Sequence, residues 1–206
     1  MGGFFGVVSR EDCVADLFYG TDYHSHLGTA RGGLVVRNGN GFRRNIHDIS
    51  NAPFRTKFED DLAKYGGRTG LGVISDTEDQ PLLIASHLGS YAIVTVGRIE
   101  NLETLARQTL RKGGSHFSEL KGNSFNATEV VATLVNEEDS IVAGLRRVQA
   151  SVRGSCSILV LADDGLYAAR DRLGRTAVTL GRKDGARAVT METCAFPNID
   201  FEIDRD

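Results

Sequence analysis

Ser157-Ile158-Leu159-Val160-Leu161-Ala162-Asp163-Asp164-Gly165-Leu166-Tyr167-Ala168-Ala169-Arg170-Asp171-Arg172-Leu173-Gly174-Arg175 holds two β-prone runs on either side of Asp-Asp-Gly. An apolar run of this length bounded by turn residues reads as a buried strand, and the second run returning at once makes a hairpin. Upstream, Leu34 to Arg37, Asn38-Gly39-Asn40-Gly41 and Phe42 to Ile46 read as another hairpin, with Asn-Gly supplying the positive φ angles of a tight turn. Phe4 to Ser9 is a short β-prone opening, followed by a helical stretch carrying Val14, Leu17 and Phe18. Further strands are expected at 69–75, 82–86, 91–96, 176–181 and 187–191. Helices are expected at 54–65, 101–112, 128–136 and 139–150. Strands and helices come in blocks rather than in strict alternation, which predicts an α+β fold with antiparallel sheets.

Composition narrows the function classes. The 206 residues suit one domain, 41% hydrophobic content supports a sizeable core, and Gly at 24 against Pro at 3 favours tight turns over rigid linkers. With 24 basic and 27 acidic residues interspersed, no basic face is offered to nucleic acid. Cys13, Cys156 and Cys194 are odd in number and far apart, so no disulfide framework or paired zinc motif can be written, and a cytoplasmic location is expected. The apolar runs are too short for a membrane helix. Phe4-Phe5-Gly6-Val7-Val8 lacks the basic flank of a secretory signal, and Gly6 stands where a myristoylation site needs Ser or Thr.

Three stretches invite a chemical reading and lose it. Asp163-Asp164 resembles an acidic metal-diphosphate pair, but the chain runs straight into another strand with no phosphate loop. His24-Ser25-His26 has no third ligand in view, so both imidazoles are read as structural and no metal is expected. Gly67-Arg68-Thr69-Gly70-Leu71-Gly72 is not a dinucleotide fingerprint, because a strand follows it. Asp171 to Arg175, on composition alone, is a solvated connection.

The block from Gly165 to Arg175, followed by Leu180-Gly181-Arg182 and Glu192-Thr193-Cys194-Ala195-Phe196, resembles the "DGL-x-AARD-x-LG", "LG" and "ETCA" segments of the N-terminal glutaminase domain of amidophosphoribosyltransferase. That family belongs to the class II glutamine amidotransferases of purine biosynthesis. Weaker matches keep the same order: Gly3-x-x-Gly6-Val7, His26-x-Gly28 with Gly33, Gly70-Leu71-Gly72, Gln80-Pro81, Gly97 with Asn101, and Thr128-Glu129-Val130. The resemblance implies the N-terminal-nucleophile fold, a four-layer αββα sandwich of two antiparallel sheets. It places Gly2 at the mouth of a cleft near Val96-Gly97. It calls for no cofactor, and it implies a phosphoribosyltransferase domain in the same polypeptide as partner, with a homo-oligomer left open. The end of the chain at Asp206, without a phosphoribosyl pyrophosphate loop, reads as a fragment over 1–206.

Family members remove the initiator Met and use the exposed Cys as nucleophile, with its own amine as base. Here Gly2 takes that position. Val96-Gly97 stands for the Asn-Gly oxyanion element, whose side-chain donor is typically worth about 10²–10³ in rate. Ser75 stands for the Arg that grips the glutamine carboxylate, Ala127 for the Asp that holds its amino group, and Leu27 for the Arg of "HRG", with His26 and Gly28 on either side of it counted among the substrate-binding positions that the resemblance implies. Cys13 follows the opening strand with no identifiable base beside it. The expectation is a degenerate glutaminase-type domain with a structural or regulatory role. The alternatives are an amide- or ammonia-handling enzyme with a rebuilt site, using the Gly2 amine after Met removal, and a module that binds a small ligand.

Overall fold

The computed structural model describes residues 2–112, 117–118, 120–121 and 124–205. The expectation about removal of Met1 lies outside these residues. β1 (Gly2–Ser9) is followed by α1 (Val14–Asp22), the hairpin β2 (Arg31–Asn38) and β3 (Gly41–Asp48), α2 (Phe54–Leu62) and β4 (Thr69–Ser75). Next come β5 (Leu82–Ser86), β6 (Gly89–Ile99) and α3 (Leu102–Lys112), then the short pair β7 (Leu120–Lys121) and β8 (Ser124–Phe125). The chain continues through α4 (Ala127–Val135), α5 (Ile141–Ser151), β9 (Gly154–Ala162) and β10 (Gly165–Ala169). It closes with β11 (Thr179–Lys183), β12 (Ala186–Thr190), a 3-10 helix over Thr193–Ile199 and β13 (Glu202–Arg205).

Two antiparallel sheets carry the architecture, one of seven strands in the order β13-β11-β12-β1-β4-β2-β3 and one of four in the order β10-β9-β6-β5. Period-two alternation sorts each buried strand between two cores. On β1, Phe5 and Val7 pack with Leu17, Phe18, Phe54, Phe58 and Phe196 of the helices over the larger sheet, while Phe4 points the other way. Phe4 joins Val35, Leu71, Val73, Val94, Leu159 and Leu161 in the layer between the sheets. On β9, Ile158 and Val160 face Leu105, Val131 and Leu145 of α3, α4 and α5. The resulting order is helix, sheet, sheet, helix, as expected. It also explains why Ile158 to Ala162 is apolar without alternation, since both faces of β9 are covered.

Three details differ from the sequence reading. The hairpin after β2 is closed by the Asn38 side chain accepting from the Asn40 N–H at 2.9 Å, and of the four residues Asn38 to Gly41 only Gly41 has a positive φ, at 103°, rather than both residues of an Asn-Gly pair. α2 ends at Leu62 rather than at 65, because Lys64 and Tyr65 donate to Asp61 and Leu62 in tighter i to i−3 bonds. β11 begins at Thr179 rather than 176, because Thr176 is held by Asp171 instead of by a strand.

Asp171 is the main correction to the solvated-connection reading. It is 4% exposed, and its carboxylate accepts from the Leu173, Arg175 and Thr176 N–H groups and the Thr176 hydroxyl at 2.9–3.2 Å. Burial pushes its pKa up, but the Thr176 and Arg175 amides and the Thr176 hydroxyl outweigh it and hold the carboxyl below its usual range. A depressed folded pKa stabilises the fold above the unfolded value of about 3.9, and that stabilisation is lost as pH falls through the folded pKa. Asp171→Ala should therefore cost about 2–3 kcal/mol in urea denaturation at neutral pH, since three part-buried N–H groups and a hydroxyl lose one charged acceptor. The gap to the parent protein should narrow below about pH 4; a gap independent of pH would show that the charge is not what holds the loop.

Candidate functional site

Where the two sheets meet at one end, a cavity of about 380 Å³ opens between the start of β1, the end of β4, the 76–81 loop, the end of β6 and the start of α4. Gly2, Ser75, Val96, Gly97 and Ala127 all line it, together with Thr77, Glu78, Gln80, Thr95 and Arg98. β1 and β4 belong to the larger sheet and β6 to the smaller, so residues separated by up to 125 positions converge through the packing of the sheets. A second hollow of about 420 Å³, between α5 and β10, gathers none of these residues.

Gly2 pairs with Ser75 in the β1–β4 ladder, on the strand at the centre of the larger sheet. A Cβ built on it would lie 2.3 Å from the Ile74 carbonyl oxygen, a backbone atom that cannot swing aside. Val96 is 7% exposed and belongs to the apolar layer between the sheets. Gly97 holds φ 144°, a conformation L side chains rarely adopt.

Ser75 is buried, and its hydroxyl accepts from the Thr77 and Glu78 N–H groups at 3.3 and 3.2 Å, which folds the start of the 76–81 loop. That turn delivers Glu78 to the N-terminus of α4. Its Oε1 accepts from the Ala127 N–H at 2.5 Å, and its Oε2 accepts from the Thr128 N–H at 3.1 Å and the Thr128 hydroxyl at 2.8 Å. The next donor, the Glu129 N–H, goes to Asn126 Oδ1, and the Val130 N–H to the Asn126 carbonyl. The N–H groups of the first three residues of α4 are thereby satisfied. Gln80 reaches the far wall, accepting from the Thr95 N–H at 2.7 Å and donating to the Thr95 carbonyl at 3.2 Å.

Glu78 is the residue that the sequence reading missed. Residue 127 carries no carboxylate of its own, yet one stands against its amide. Ser75-x-x-Glu78 has the spacing of a capping box, but no helix follows it, and the partner helix lies 49 residues away. Arg98, at the exposed rim, makes no side-chain hydrogen bond or ion pair among the described residues.

His26 and Gly28 do not line the cavity. His26 is exposed and its Nε2 meets Glu192 at 2.9 Å, while Gly28 is in extended backbone. His24 is fully buried, with Nδ1 on the Gly20 carbonyl and Nε2 receiving the Glu192 N–H and meeting the Thr190 hydroxyl. Burial lowers its pKa, so it stays neutral in a structural role. Among the described residues no thiol lines the cavity either: Cys13 and Cys156 are buried, each pushed up to about 12 chiefly by burial, and Cys194 lies outside. Among the described residues no group of three or more His, Cys, Asp or Glu gathers to hold a metal, and no helix is long and apolar enough to cross a membrane.

A family model described as a glutamine amidotransferase domain matches residues 68–197, more than half of the chain. The chain belongs to the glutamine amidotransferase domain family. Its similarity extends across its whole length to amidophosphoribosyltransferases, at 26% identity to that of Methanocaldococcus jannaschii with 45% of the relative covered. For the Methanothermobacter thermautotrophicus enzyme, 26% identity holds over 99% of this chain and 44% of the relative. Among solved structures, the glutamine phosphoribosylpyrophosphate amidotransferase of B. subtilis, complexed with ADP and GMP, superposes with a TM-score of 0.86. That match has 24% identity and covers 98% of this chain and 44% of the other. A glutamine aminotransferase class-II domain protein from Silicibacter pomeroyi follows the same fold more loosely, at TM-score 0.58 and 15% identity over 93% of this chain and 88% of the other. This glutamine amidotransferase domain thus spans less than half the length of the amidophosphoribosyltransferases it matches.

Proposed function

We propose that this chain is a glutaminase-type domain of an amidophosphoribosyltransferase-like protein that does not hydrolyse glutamine and acts in a structural or regulatory role, in the cytoplasm, beside a phosphoribosyltransferase domain of the same polypeptide. The observation that carries the reading is the setting of Gly2. It stands at the position where the family has its nucleophilic Cys, in a ladder with no room for a Cβ, and no thiol among the described residues lines the cavity around it. Without a thiol there is no thioester, and an amine alone cannot replace it. Val96 supplies no hydrogen-bond donor from its side chain, and neither Ser75 nor Ala127 carries a charge for an amino acid's termini.

Steady-state assay of the chain with millimolar glutamine should release no ammonia above the uncatalysed background, and isothermal titration should show no saturable glutamine binding. Saturable turnover would overturn the reading. A second reading, a module that binds a small ligand, is favoured by one observation: the cavity is open and contains a fixed carboxylate, that of Glu78.

A further inference from the structure

Three residues around the cavity act as one unit. Ser75 folds the loop with its hydroxyl, Glu78 rides on that loop, and Ala127, having only a methyl group, lets the Glu78 carboxylate reach the Ala127 amide. A larger side chain at 75 would remove the turn, and an acidic one at 127 would set a second carboxylate beside the first. The three donors at the start of α4 are thus already filled by the chain's own anion. A carboxylate has about four acceptor sites, and among the described residues three of those of Glu78 are occupied. Glu78 is half-buried and lines the cavity, and it makes no ion pair among the described residues, while Arg98 is exposed at the rim, where water and salt screen it.

We propose that Glu78 determines what the cavity accepts: a small primary amine with no free carboxylate next to it, held by its ammonium group on the remaining acceptor of Glu78. An ammonium on a carboxylate forms a charge-assisted hydrogen bond. A free carboxylate on the adjacent carbon would face Glu78 as a like charge, with the α4 donors no longer available to receive it. The inference rests on the reading of this cavity as a ligand site, and it extends that reading from an unspecified small ligand to a chemical class.

The test titrates glycinamide, glycine and acetate into the parent protein, Glu78→Gln and Glu78→Ala at matched ionic strength, by calorimetry and thermal shift, after circular dichroism has confirmed folding. The parent should bind glycinamide saturably and ignore glycine and acetate. Glu78→Gln should weaken glycinamide about tenfold or more, the loss of a hydrogen bond to a charged group. Glu78→Ala, with the α4 donors uncovered, should bind acetate saturably and rise in melting temperature with it. Glycine or acetate binding to the parent as well as glycinamide does would overturn the proposal, as would a Glu78→Ala protein indifferent to acetate. Equal glycinamide binding by the parent and Glu78→Gln would leave the protein a binder but remove Glu78 from recognition. A parent indifferent to all three probes, beside a Glu78→Ala protein that takes acetate, would make Glu78 a cap of α4 alone and defeat the ligand-site reading itself.

Discussion

Gly33→Ala should destabilise this domain by about 3 kcal/mol or more, the upper range for forcing an atom into a packed interior. Gly33 sits in β2, opposite Val73 of β4. A Cβ there would lie 1.7 Å from the Gln80 carbonyl oxygen and 2.7 Å from both the Gln80 carbonyl carbon and the Pro81 ring. These are mostly backbone atoms, and the loop that carries them is tied down on its far side, where the Gln80 side chain is bonded to the Thr95 backbone. Moving the loop breaks that link and draws Glu78 away from α4, so strain at β2 spreads to the cavity. In urea denaturation the midpoint should fall. The melting temperature should drop by roughly 6–12 °C, taking about 2–4 °C for each kcal/mol in a chain of this size. Gly39→Ala is the control, because nothing lies within 4 Å of a Cβ there, and its effect should be within about 0.5 kcal/mol. Equal effects at 33 and 39 would show that the close approach of the loop to β2 is not what the fold depends on.

Gly2→Cys, with the residue before it removed, should not create a glutaminase. The thiol and its own amine would supply nucleophile and base together, but the Cβ that carries the thiol meets the Ile74 carbonyl at 2.3 Å, so the first residues of β1 must leave the ladder to admit it. A nucleophile on a displaced strand end is poorly positioned, and misplacement by an ångström costs about 10²-fold. The remaining contacts are also missing. The attacked carbonyl meets the aliphatic side chain of Val96, and the donors at the start of α4 are engaged by Glu78. Such losses act together rather than adding, since a group acting on a misplaced substrate contributes little. Adding Val96→Asn, Ser75→Arg and Ala127→Asp to Gly2→Cys would bring in the missing groups. It would also remove the Ser75 turn and set the new carboxylate at position 127 against Glu78, so Glu78 must be neutralised as well. Ammonia release measured for the single variant and for the combined one should stay at background in the first. Substantial activity from Gly2→Cys alone would show that a single residue separates this chain from an active enzyme.

Much of the fold was legible because it rests on local patterns. The β-prone run from Phe4 to Ser9, the turn residues at Asn38 to Gly41 and Asp163 to Gly165, and the helical pattern at 54–65 each depend on neighbours in sequence, and each forms the expected type of element. The ordered segments from Gly165 to Phe196 then pointed to the family, and through it to two stacked sheets with Gly2 beside Val96-Gly97. Where the reading erred, a hydrogen bond outside the local period decided the outcome. Thr176 was drawn to Asp171 instead of into β11, and Asp171, surrounded by Arg172 and Arg175, was buried rather than solvated.

Apolar periodicity and turn chemistry were enough for an α+β fold with antiparallel sheets, and the ordered motifs from Gly165 to Phe196 were enough for the family resemblance, which in turn implied the αββα layering and the positions 2, 75, 96 and 127. What those positions surround is set by packing between distant segments. The want of room at Gly2 is set by the Ile74 carbonyl on a neighbouring strand, and the tight packing at Gly33 by a loop that crosses over to β6. Glu78 reaches the Ala127 amide across 49 residues because the stacking of the two sheets brings the end of β4 to the start of α4. No local spacing encodes that distance, since it is fixed by how two independently patterned layers pack.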